Sequence, residues 1–348
     1  MLNKKILGLS LIAFSAASSI VSAAGRDTIS VVGSSTVYPF STVVAERFGK
    51  STKFATPKIE STGTGGGMKL FCAGVGVDTP DMSNASRRMK KSELTMCHEN
   101  GVTEVTEVLV GYDGIVFSNA AASPQITISR KELFLALAKD IPNPDGSETL
   151  IENPYKTWKE VNAKLPATKI AVYGPPPTSG TRDAFAELVL EGGCKKFSWI
   201  KAMKKTNKGE YKKICHSVRE DNGYIESGEN DNLIVQKLTS NPEAYGIFGF
   251  SFLDQNSDTL QGSRVDGVVP TFEAIADGSY PVSRPLFFYV KKAHVGKVPG
   301  IMEFLTEFTS EDAMGDEGYL TDKGLIPLSA AKLKAVKKSV LSLENLSL

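Results

Sequence analysis

The sequence is short of the side chains on which most hydrolytic enzymes run. Its 348 residues include three histidines, and two of them, His98 and His216, stand directly after cysteines. That leaves little for a Ser-His-Asp triad, and neither Cys97-His98 nor Cys215-His216 has the closely spaced second cysteine of a zinc site. Charge of one sign is missing as well. Forty Lys and Arg stand against 39 Asp and Glu, a balance with no bulk attraction for nucleic acid. The lysines between Lys201 and Lys213 are a local basic stretch, read as a solvated face or as weak steering of an anion. Beyond the first two dozen residues there is no long apolar run, no internal repeat and no low-complexity tract.

Those first residues differ from the rest. Lys4 and Lys5 precede an apolar run from Ile6 to Ile20, and the residues from Val21 to Ala24 offer small side chains for cleavage, the pattern of a secretory signal peptide over 1–24. The run falls short of the ~20 residues of a membrane span, and no cysteine marks a lipid anchor. Cleavage removes two lysines and no acid, taking the formal charge from +1 to −1. The mature chain is expected to be soluble and periplasmic. In that oxidising compartment four cysteines favour bridges. Of three possible connectivities, Cys72–Cys97 and Cys194–Cys215 join near neighbours.

Strand and helix signals alternate. "TISVV" ends in Gly33, and Val37, Phe40, Val43, Val44 and Phe48 follow at helical spacing, with Pro39 in the first turn, where it is tolerated. The alternation predicts an α/β fold of two lobes, each a mostly parallel sheet flanked by helices, with a ligand cleft between them. Two glycine-broken apolar runs, Leu109–Phe117 and Tyr245–Phe252, read as crossings between lobes. They divide the mature chain into a discontinuous first lobe, 25–112 with 248–348, and an inserted second lobe, 113–247.

Four hydroxyl-rich turns lead into helices: Gly33-Ser34-Ser35-Thr36, Thr62 to Gly67, Asn84-Ala85-Ser86-Arg87, and Ser179-Gly180-Thr181-Arg182. A helix start offers unpaired N–H groups and about half a positive charge, so it favours an anion. Glycine lets the backbone approach closely, and hydroxyls add donors that rotate toward a ligand. Each turn alone reads equally as a helix cap; together they describe a tetrahedral oxyanion held between lobes. Phosphate motifs of other kinds fail. Six residues from Gly63 the Walker pattern meets Met68 and then Lys69-Leu70, and the dinucleotide fingerprint lacks its third glycine at the same place. After Gly33-Ser34-Ser35-Thr36, Val37 breaks the nucleophile elbow.

The segments "GSSTVYPF", "TGTGGGMKLF", "SGTRDAF", "NPEAYGIFGFSFLDQN" and "GYLTDKGLIPL", in this order, resemble the phosphate-binding periplasmic proteins of phosphate ABC transporters across nearly the whole mature chain. The resemblance implies a class II periplasmic binding protein, a monomer without cofactor, metal or catalysis, that closes on inorganic phosphate and delivers it to a membrane permease. It implies ligands at Ser35, Thr36 and the Val37 backbone, at Thr64, at Ser86 or Arg87 depending on alignment, and at Ser179, Gly180 and Thr181. Many members carry an arginine four residues before the Ser-Gly-Thr turn. Here that position is Pro175, and Arg182 is the expected substitute. The aspartate that accepts the phosphate proton in other members is absent from the third turn, with Asp113 as the outside candidate. Arg88 reads as solvated. The alternatives are a receptor for another oxyanion such as sulfate, a secreted phosphatase, or an adhesive role.

Overall fold

The structure is a computed structural model that describes residues 26–228 and 231–348; the expected signal segment 1–24 lies outside them. Strand β1 (Ser30–Gly33) is flanked in parallel by β2 (Lys58–Ser61) and β3 (Met82–Ala85). The helices α1 (Tyr38–Ser51), α2 (Thr64–Phe71) and α3 (Lys91–Glu99) each follow one of these strands. Phe40, Val44 and Phe48 recur every four residues along α1 and are all buried, so the helical spacing in the sequence is the stripe that meets the sheet. Pro39 sits in the first turn, where its missing N–H costs no helical bond.

The strand β4 (Val105–Ala120) is the spine of the molecule. Val105 to Gly114 pair antiparallel with the strand Ser283–Lys291, and Ile115 to Ser118 pair with Tyr245–Gly249. Its partner therefore changes at Gly114–Ile115, inside the first expected crossing. Beyond the change lie the parallel strands Val172–Gly174 and Tyr224–Glu226, so one continuous, curled sheet runs through two halves.

The second crossing is not where the sequence places it. After Tyr245–Gly249 the chain forms a short helix, Phe250–Gln255, and then the strands Leu260–Gly262 and Arg264–Val265, which still pair with the far end of β4 and with Thr127–Ile128. The return to the first half comes through residues 266–282 and ends in the strand Ser283–Lys291. The glycine-broken run near residue 248 is thus a strand ending at a helix start rather than a lobe boundary: Gly249 is the cap of the helix that follows.

Both expected disulfides are present. Cys72–Cys97 ties the end of α2 to α3, and Cys194–Cys215 ties the end of the helical run 180–194 to the helix Lys208–His216. Both cysteines that precede a histidine are therefore occupied, which removes the zinc reading of those pairs.

Candidate functional site

The three turns of the first half meet because glycine allows it. Gly33 has φ +128°, and a Cβ there would lie 2.2 Å from the Asn84 carbonyl. With only hydrogen at that place, Ser34 donates its N–H to Asn84 O at 2.9 Å, and Thr62 donates to Gly33 O at 2.9 Å. The turns after β1, β2 and β3 are thereby stitched to one another at the carboxyl ends of three parallel strands, the usual ligand edge of such sheets. Hydroxyls complete the stitching. Ser34 Oγ accepts from Thr36 N at 3.2 Å, and Thr64 Oγ1 accepts from Ser86 N at 3.1 Å while lying 3.1 Å from Ser86 Oγ.

The opposite wall comes from the helix Lys208–His216 and from one helical run: α-helix over Gly180–Phe185, a π segment over Ala186–Leu190, and α-helix again over Glu191–Cys194. Ser179 Oγ caps it by accepting from Thr181 N at 3.2 Å. A Cβ on Gly180 would lie 2.9 Å from Ser35 O, so the two halves touch here through bare backbone. Ser35 Oγ donates across the cleft to Asp183 Oδ2 at 2.5 Å. Between the walls lies a cavity of about 170 Å³. Ser34, Ser35, Thr36, Gly63, Thr64 and Ser86 line one side, and Asp183, Glu187, Lys212 and His216 line the other.

Behind the hydroxyl wall is an arginine that carries no motif in the sequence. Arg284 is 7% exposed; it donates to Thr36 Oγ1 at 2.6 Å, to Glu187 Oε2 at 2.8 Å and to Asp113 Oδ2 at 3.3 Å. One guanidinium thus joins the first turn, the crossing strand and the second-half helix. Burial pushes the Asp113 carboxyl up, and Arg284 counteracts this only in part. The sequence offered one signal for Arg284: a lone cation followed by Pro285 at the head of an apolar strand.

The expected cations are engaged elsewhere. Arg182 lies 4.3 Å above the centre of the Tyr224 ring, donates to Pro175 O at 3.2 Å, and lines a neighbouring groove of about 570 Å³ rather than the cavity. Arg87 makes two hydrogen bonds to Glu93, at 2.9 and 2.6 Å, and Arg88 reaches Glu107 at 3.0 Å. Thr36, Thr64, Ser35 and Ser86 are brought together as expected. Val37 is wholly buried and does not line the cavity. Ser179, Gly180 and Thr181 start the facing helix but do not line the cavity.

Glu191, one residue past the π segment, holds a second polar cluster. His216 Nε2 pairs with its Oε2 at 2.9 Å, and Lys204 Nζ and Tyr211 OH reach Oε1 at 2.6 and 3.0 Å. These partners, His216 first, hold the Glu191 carboxyl at about 2, against the opposing effect of burial. Among the described residues no cluster of His, Cys, Asp and Glu could hold a metal ion.

A family description given as a PBP superfamily domain matches residues 19–312. Protein SphX of Synechococcus elongatus is 29% identical over 88% of this chain and 79% of its own length. The phosphate-binding protein PstS of Staphylococcus saprophyticus is 30% identical, covering 83% of this chain and 77% of its own. Among solved structures, a possible phosphate binding protein from Planctomyces limnophilus superposes with a TM-score of 0.69 at 28% identity, over 91% of this chain and 96% of that one. A fold of parallel strands ending in a hydroxyl-lined cleft, matched over most of its length by these relatives, means that this chain belongs to the PBP superfamily, among its PstS and SphX proteins.

Proposed function

We propose that this protein is the periplasmic receptor of a phosphate ABC transporter: it binds inorganic phosphate between its two halves and hands it to the permease subunits in the membrane, with no catalysis of its own. The observation that carries the reading is the convergence of Ser35, Thr36, Thr64 and Ser86 from three turns on one cavity that the second half closes. Their hydroxyls can each turn a proton toward an oxygen of the anion. The backbone of Val37 and the helix start at Ser179, Gly180 and Thr181 are the further contacts we assign. Export through a cleaved signal peptide and action as a monomer belong to the same reading, with the two halves as its lobes. Among the described residues no helix is long and apolar enough to cross a membrane.

Asp183 and Glu187 in the wall favour phosphate over sulfate. Monohydrogen phosphate carries a proton it can donate to a carboxylate, whereas sulfate meets the same carboxylate with no donor and is repelled. Calorimetric titration of ligand-stripped protein tests the reading: phosphate and arsenate should bind and sulfate should not. The same sample should release no phosphate from aryl phosphate esters, which separates a receptor from a secreted phosphatase.

A further inference from the structure

We propose that Lys212 supplies the positive charge that holds the anion, in place of the arginines that sequence motifs suggest, with His216 one turn further along the same helix as a second contact. The assignment rests on the phosphate reading above and adds to it the residues that neutralise the ligand.

Hydroxyls and helix-start N–H groups carry partial charge only. Arg87 is neutralised by Glu93, and Arg182 faces Tyr224 in the adjoining groove. Arg284 serves two carboxylates, Asp113 and Glu187, at once. With Asp183 also in the wall, an anion entering this cavity would meet an excess of negative charge unless another cation faced it. Lys212 is the lysine of that wall, and His216, paired with Glu191, lies beside it. They are four residues apart on the helix Lys208–His216, so they share a face. None of the salt bridges among the described residues uses Lys212, while its neighbour Lys213 lies 3.9 Å from Glu210.

The face is also held in place. Cys215 is bonded to Cys194 at the end of the cavity-lining helical run, and His216 Nε2 pairs with Glu191 on that same run. A lysine suits this place, because its single charge on a flexible stem can follow the ligand as the cleft closes.

Titration of the mature chain with inorganic phosphate at fixed salt tests the assignment, using Lys212→Ala, His216→Gln and the control Lys213→Ala. The control removes the same charge one residue away on another face. Lys212→Ala should weaken binding by a factor of ten or more, His216→Gln by three to ten, and Lys213→Ala by less than two, with the melting temperature of the ligand-free protein unchanged in the two lysine variants and lowered in His216→Gln, which loses its pair with Glu191. Equal weakening by Lys212→Ala and Lys213→Ala would mean a diffuse field rather than a contact, and would overturn the assignment. So would a Lys212→Ala protein that binds within a factor of two of wild type. A wild-type chain that binds no phosphate would overturn the receptor reading, and the assignment with it.

Discussion

The two walls of the cavity are built on opposite plans. The first-half wall has no formal charge, and its turns are tied together at the end of a parallel sheet by backbone bonds and by the contacts of Thr64 with Ser86. The second-half wall is made of four ionisable side chains on two helices, joined by a disulfide and by Glu191. One wall supplies shape and directed donors. The other supplies charge, so that affinity should be set by the second wall and selectivity for a tetrahedral oxyanion by the first. Arg284 is the member common to both, since it touches Thr36 on one side and Glu187 on the other.

Removing that shared member should have the largest effect. Arg284→Met leaves Asp113 buried without its cation, and breaking a buried pair on one side costs on the order of 3 kcal/mol. Denaturant unfolding should report that loss, and phosphate binding should weaken as Thr36 loses its donor. A variant that unfolds like wild type would mean the two walls are not joined through this residue.

The disulfides give the next contrast. Replacing either pair by serine should cost about 3 kcal/mol in the chain-entropy account of such loops, whose mechanism is model-dependent. The binding consequences should differ. Cys72 follows the last residue of α2, a helix length away from Thr64, whereas Cys215 adjoins His216. Loss of Cys194–Cys215 should therefore weaken phosphate binding several-fold beyond the loss of Cys72–Cys97, as read by calorimetry below both melting temperatures.

Gly180→Ala probes the seam between the walls. Its new Cβ would sit 2.9 Å from Ser35 O and from Thr36 Cα, closer than real contacts allow. The cleft should fail to close fully, with binding weakened about tenfold, or ~1.4 kcal/mol. Small-angle scattering should show phosphate compacting the wild type and not the variant. Identical wild-type profiles with and without phosphate would argue for a rigid cleft.

Acid distinguishes the walls more gently. Glu191 is held at about 2 by His216, Lys204 and Tyr211. Its ordinary value in an unfolded chain is about 4.3. A depressed carboxyl stabilises the fold above its unfolded value, and that stabilisation is lost as pH falls through its folded one. Between pH 4.5 and pH 2 the wild type should lose more stability than Glu191→Gln. The smallest effect should come from Arg182→Ala, which removes a guanidinium that faces Tyr224. Binding should stay within about threefold of wild type, less than one tenfold step of ~1.4 kcal/mol. A hundredfold loss would mean that Arg182 swings into the cavity when phosphate enters.

The first wall was legible in the sequence because its physics is local. A glycine followed by hydroxyls at the end of an apolar run specifies a turn and a helix start within a few residues, and three such turns fall together once their strands pair in parallel. The cysteine pairs were legible for the same reason of nearness. The second wall was only half visible: "SGTRDAF" marks the helix, but which side chains face the cleft depends on the π segment and on packing against Lys208–His216. Lys212 looked like a member of a solvated basic stretch, and His216 stood out only as the neighbour of Cys215. Arg284 is 171 residues from Asp113 and 248 from Thr36 in the chain, so no local pattern announces it. The misplaced crossing has a related cause, since a glycine that caps a short helix and one that relaxes a crossing strand look alike in sequence.

The position of the strand Ser283–Lys291 also sets an order of assembly for a chain made from its N-terminus. It lies between β3 and β4, in the middle of the sheet, although it is the last strand to be synthesised. The second half has all its strands by Val265 and can condense on the far end of β4. The parallel trio β2-β1-β3, by contrast, has no bond to β4 until this late strand slides between them. The segment that unites the halves also carries Arg284, so the binding cleft and the finished sheet arrive in the same event, and a partly emerged chain has no assembled pocket to fill prematurely.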